Sequence, residues 1–117
     1  MENELEIMEL ITCGGEARSK ALMAMNKIAE YDFDGAEALL KESGKLILQA
    51  HKTQTSLLTK EACNGVENTP LLMVHAQDHL MDASVIKDLV ESILVMQKNN
   101  YQRFINNEHN RTPNHRH

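Results

Sequence analysis

Aromatic residues are almost missing from this sequence, which has no tryptophan and only two tyrosines and two phenylalanines. A core built from it must be aliphatic and rich in methionine, and cores of that kind usually belong to helix bundles. Proline is as rare. Pro70 and Pro113 stand outside most of the sequence that can be helical, so the residue that breaks helices is kept away from them. Alanine, leucine, glutamate, lysine and methionine favour helix, and an all-α fold is the expectation. Cysteine occurs twice, as Cys13 and Cys63, far apart and with no C-x-x-C pair. That argues against a disulfide framework and for two reduced, packed thiols. A basic excess is also missing. The formal net charge is −5, which argues against nucleic acid as a partner, because phosphates must be neutralised by lysine and arginine. No run reaches the roughly 18 apolar residues of a membrane span, and MENELEIMEL is acidic where a signal peptide would be basic. The expectation is a cytoplasmic protein with no direct membrane insertion.

What is present is helical periodicity in three segments. The first runs from about Glu4 to Glu30, with Ile7, Ile11, Ala17, Ala21, Met25 and Ile28 near helical spacing. Gly14 and Gly15 interrupt it. Each glycine costs about 1 kcal/mol against alanine inside a helix, so the pair points to a close backbone approach or a local break. The close approach is the better reading. YDFDG then marks a turn. Asp34 with Glu37 has capping-box spacing, and Asp32 is an equally good cap. The second segment carries Ala36, Leu39, Leu40, Ile47, Ala50, Leu57 and Leu58 to about Cys63, where Asn64 and Gly65 give a stop signal. Thr69 and Pro70 are the expected cap and first residue of the third helix.

The third segment is apolar on two sides. At ~100° per residue, Leu72, Ala76, His79, Ala83, Ile86, Val90 and Ile93 form one stripe, and Asp78, Val85, Leu89 and Met96 form a second. A helix in a three-helix monomer needs one buried stripe, so another copy of the chain should cover the second. Self-association is predicted from the pattern alone. The apolar pattern fades after Ile105, which divides the chain into a helical domain over residues 1–105 and a flexible polar tail over residues 106–117.

His75, Asp78, His79 and Asp82 stand at i, i+3, i+4 and i+7, which places all four on one helix face roughly 100° wide. A solvated bundle end with satisfied histidines is the plainest account. It is weakened because a symmetric partner packing on the second stripe would bury the Asp78 carboxylate, at a cost unless it is paired, protonated or bound to a cation. H-A-Q-D-H also suggests an inverted zinc-hydrolase pair, but aspartate is shorter than the usual base and no third ligand stands in context. A non-catalytic oligomeric scaffold or regulatory bundle would leave the histidines unexplained. A phosphohistidine carrier would explain them. A neutral imidazole has a free ring nitrogen for attack on phosphorus, and phosphoryl transfer asks mainly for in-line positioning and donors to the phosphoryl oxygens. Spacing alone does not decide whether His75 or His79 is the nucleophile.

LLMVHAQDHLM at Leu71–Met81, GEARS at Gly15–Ser19, the DFDGAEALLKE turn and AHKTQTSLL at Ala50–Leu58 closely resemble the lactose/cellobiose-type enzyme IIA component of the bacterial sugar phosphotransferase system. The resemblance runs in order over about Glu4–Gln97, and the VHAQDHLM string is its specific part. It implies an antiparallel three-helix bundle assembled into a nine-helix homotrimer. It also implies that His75 accepts phosphate from the carrier protein HPr and passes it to a cysteine of the cognate IIB component, during uptake of a disaccharide of the lactose, cellobiose or chitobiose type. Asp78 is implied to meet its symmetry mates at the trimer axis, where a divalent cation such as magnesium can sit. His79 and Gln77 are the expected supports of the phosphoryl group. Family members often have a single glycine where this chain has Gly14-Gly15.

Overall fold

A computed structural model describes residues 4–63 and 71–111. Over these the chain forms α1 (Glu4–Ala29), α2 (Phe33–Cys63) and α3 (Leu71–Arg111), running up, down and up, with no strand among the described residues. The three-helix architecture is the expected one. α1 passes through Gly14 and Gly15 without a break. Thr69, Pro70, Asn64 and Gly65, expected to punctuate the α2–α3 connection, lie outside the described residues, as do residues 112–117.

The turn between α1 and α2 is closed by its own backbone. The Asp32 N–H donates to the Lys27 carbonyl at 2.8 Å and the Tyr31 N–H to that of Ile28 at 3.0 Å, the paired bonds that satisfy carbonyls at a helix end. Tyr31 takes the left-handed conformation, with φ of 61°, in a place where glycine is usual. The conformation costs about 1–2 kcal/mol for a side chain bearing Cβ, and ring packing offsets part of it. The Tyr31 ring lies 6.2 Å from that of Phe33 and 5.6 Å from that of Tyr101. The two equally good caps are separated here: the Gly35 N–H donates to Asp32 Oδ1 at 2.9 Å, so Asp32 is the cap. Asp34 lies inside the first turn. A side chain at position 35 would collide with the Asp32 carboxylate, which is why the third helical residue is glycine.

Two apolar clusters fill the bundle. Ile7, Leu10, Cys13, Ala50, Leu57, Met73, Ala76 and Leu80 form one; Ala21, Ala24, Ile28, Ala36, Leu40, Val90 and Leu94 form the other. Between them the packing narrows to small residues, and buried Ser43 donates its hydroxyl to the Ala17 carbonyl at 2.7 Å. Cys13 is the packed thiol expected. Burial, with the Glu9 and Glu16 carboxylates, pushes it above its ordinary pKa and keeps it protonated. Two details of the core depart from expectation. Leu58 is exposed, and the buried row of α3 is Met73, Ala76, Leu80, Ala83, Val90 and Leu94, rotated from the expected stripe so that Leu72, His79, Ile86 and Ile93 are only half-buried. The heptad position between Leu80 and Leu94 is Lys87. Its stem lies against Gly44, where a Cβ would stand 3.4 Å from Cε, while its ammonium reaches Glu91 at 3.0 Å.

The helical pattern was expected to fade after Ile105, but α3 continues to Arg111. Tyr101 packs on Tyr31 and on Phe33, the latter at 5.8 Å. One turn on, the Gln102 amide donates to Asn106 Oδ1 at 3.2 Å, an i,i+4 bond that supports an exposed helix. No helix among the described residues is long and apolar enough to cross a membrane.

The cap assignment has a direct test. Asp32→Ala should destabilise the protein by about 1 kcal/mol and Asp34→Ala by no more than a few tenths, in urea unfolding followed by circular dichroism. Equal losses would return the cap to both residues.

Candidate functional site

The histidines stand near the start of α3, on the flank between its buried row and its outer face. His75 is exposed and His79 half-buried one turn later. Their Nε2 atoms are 3.1 Å apart, and the rings meet edge to face with centroids at 4.5 Å and planes at 84°. A 3.1 Å contact between two ring nitrogens holds one proton, so one imidazole donates and the other accepts. When His79 carries that proton, the Nε2 lone pair of His75 accepts it and becomes available to an electrophile only as that bond is given up, with the donor still beside it.

α1 sets the depth of His79. Gly14 is buried, and a Cβ built there would stand 3.3 Å from the His79 carbonyl carbon and 3.4 Å from its Cβ and oxygen. The close approach read from the two glycines is therefore real at Gly14. At Gly15 a Cβ would meet nothing within 4 Å.

A shallow depression beside His75 is lined by Leu71, Leu72, Val74, His75 and Asp78. Its apolar wall is a feature that attention to polar residues missed, although the LL-V run ahead of the histidine was its signal. Asp78 and Asp82 are exposed on the same face as the histidines. Gln77 is half-buried and stands about 200° around the helix from His75, so the fold does not bring it to the histidine pair. Among the described residues no group of three histidine, cysteine or acidic side chains is gathered within one subunit to hold a metal ion.

Asp78 lies within a long apolar strip on the outer face of α3. Met81 is 65% exposed, Val85 50%, Leu89 59% and Met96 60%, with Leu71 and Val74 above them. This is the second stripe read from the sequence, and no described residue covers it. A separate groove between α2 and α3, floored by Leu40 and Leu94 and spanned by the Lys98–Glu37 ion pair at 3.5 Å, lies toward the opposite end of the bundle and contains no histidine.

The chain is similar to known proteins over most of its length. Residues 5–98 match the family model of the lactose/cellobiose-specific IIA subunit of the phosphotransferase system. A lactose-specific EIIA component from Staphylococcus epidermidis is 39% identical over 97 residues, covering 83% of this chain and 93% of that protein. The crystal structure of the cellobiose-specific enzyme IIA from Bacillus anthracis superposes with a TM-score of 0.80 at 29% identity, over 87% of this chain and 94% of that one. A chain from the solution structures of the IIA(chitobiose)–HPr complex of the Escherichia coli phosphotransferase system superposes at 0.78 with 32% identity, over 86% of this chain and 98% of that one. The histidine pair, the three-helix frame and these likenesses converge: the chain belongs to the lactose/cellobiose-specific IIA family and is a phosphotransferase component acting in sugar uptake.

Proposed function

We propose that the chain is a cytoplasmic phosphocarrier in which His75 receives a phosphoryl group from the phosphohistidine of HPr and passes it to a cysteine of the cognate IIB component. The observation that carries this is the 3.1 Å contact between the Nε2 atoms of His75 and His79. In the first step the Nε2 lone pair of His75 attacks phosphorus, the new P–N bond forms as the bond to the donor histidine breaks, and the donor imidazole leaves. His79, holding the proton between the rings, donates to a phosphoryl oxygen once its partner nitrogen is occupied. In the second step a thiolate attacks the same phosphorus and His75 leaves as a neutral imidazole. His75 is the exposed member of the pair, which suits it to meet two protein partners in turn, and the likeness to a chain from an IIA–HPr complex supports HPr as the donor.

The uncovered strip on α3 supports a homotrimer, nine helices in all, with the three α3 helices packed about a common axis. Asp78 interrupts that strip. Three carboxylates brought together in an apolar seam repel one another and need a counter-charge. Among the described residues a single chain gathers no ligand set, so a divalent cation such as magnesium would be held by Asp78 from each copy. Its contribution there is charge neutralisation of the seam; the phosphoryl steps run on His75 and His79.

Three outcomes test this reading. Incubated with phosphoenolpyruvate and the general phosphotransferase proteins, the protein should gain one acid-labile phosphate. His75→Ala should abolish labelling, and His79→Ala should slow it by about tenfold or more. Labelling that survives the first change and is lost with the second would reverse the roles.

Light scattering should give about three times the 13.2 kDa chain mass. A monomer at micromolar concentration would remove the seam and the reason for a metal.

Chelation should lower the melting temperature of the parent trimer and leave that of Asp78→Leu unchanged, since packed apolar groups in place of buried charges are often neutral or stabilising. Equal chelator sensitivity in both would show that Asp78 is not the ligand.

A further inference from the structure

We propose that Gly14 is a positioning residue for the phosphoryl acceptor, acting through His79. The inference rests on His75 being that acceptor.

Its links are short. The backbone of α1 at Gly14 lies against the His79 backbone with no side chain between them: a Cβ there would stand 3.3 Å from the His79 carbonyl carbon and 3.4 Å from its Cβ. The Cβ is the root of the imidazole, whose Nε2 is 3.1 Å from Nε2 of His75. The spacing between α1 and α3 at this level is thereby transmitted to the nitrogen that attacks phosphorus.

The chain has glycines in other helical settings that show what is special about this one. At Gly15 a Cβ would meet nothing within 4 Å, and at Gly44 it would meet the end of the Lys87 side chain at 3.4 Å. A lysine stem can swing aside. A helix backbone cannot, because its peptide groups are held by hydrogen bonds on both sides. A methyl group at position 14 must therefore shift His79 by a few tenths of an ångström. The contact between the rings is already near the long end of the hydrogen-bond range, at roughly 3.2 Å for nitrogen donors. Taken up at His79 itself rather than by α3 as a whole, a displacement of that size carries the contact to the edge of that range, and the His75 resonances read whether it does.

Helix propensity separates this role from simple packing. Alanine is the better helix former by about 1 kcal/mol, so Gly14→Ala keeps α1 folded while disturbing the histidine pair. Gly44→Ala makes the same propensity gain away from the pair and serves as the control.

The test measures the rate of phosphorylation by phospho-HPr together with the imidazole 15N resonances of His75. Gly14→Ala should slow phosphorylation by about threefold to tenfold, as expected for a small misplacement of a reacting group, and should move the His75 resonances. Gly44→Ala should change neither. In a His79→Ala background the Gly14→Ala change should add less than about twofold, since its path to His75 is gone and coupled sites are not additive. Losses that multiply in the double variant would overturn the proposal, as would unchanged rate and resonances in Gly14→Ala. Failure of Gly14→Ala to fold would also overturn the proposal, which requires that the bundle accept the change. Labelling of His75→Ala would instead overturn the assignment of the acceptor, an outcome separate from either.

Discussion

Helix α3 is apolar on two opposite faces, and the arrangement of the molecule follows from that constraint. One face, along Met73, Ala76, Leu80, Ala83, Val90 and Leu94, closes the bundle core. The other, along Met81, Val85, Leu89 and Met96, is left bare by the described residues. Polar residues that must reach a partner can stand only on the flanks between the two. His75 stands there, with His79 half-buried behind it. His75 is thus mounted on a helix fixed from behind by core packing, which limits rearrangement of its imidazole. In the transfer proposed for it such rigidity is useful, because each partner would find the imidazole in the same place.

The contact between α1 and α3 gives this mounting a second anchor. Most helix pairs pack through side chains that can repack when one of them changes. At Gly14 the approach is direct, and the usual slack is absent. The same economy recurs at Gly44, where the missing side chain gives room to a lysine stem whose charge emerges beside Glu91.

Much of this was legible in the sequence, and the errors have physical causes. Three helices and their order followed from apolar spacing, and the outer stripe of α3 from its second set of apolar residues. The exact core row of α3 did not. Its heptad register passes through Met73, Leu80 and Leu94 but is broken by Lys87, and a lysine in such a row reads as surface until a glycine opposite is known to admit its stem. The choice between Asp32 and Asp34 as cap needed the turn geometry, since both precede the same apolar run. The length of α3 was underestimated because asparagine is a weak helix former, while past Ile105 the helix is supported by the Gln102–Asn106 bond along its own surface. The histidine pair was legible as a pair, by its i,i+4 spacing. Which nitrogens face each other required coordinates.

The aromatic contacts at the α1–α2 turn have one more consequence. Both tyrosines of the chain lie in that cluster, with Phe33 between them, and there is no tryptophan. The near-ultraviolet dichroism and intrinsic fluorescence of this protein therefore report on a single place, roughly 40 Å along α3 from His75. They follow the seating of the long helix on the turn and are blind to the chemistry at the other end. A tryptophan introduced near the histidines would give that end of the bundle an optical signal over an almost empty background.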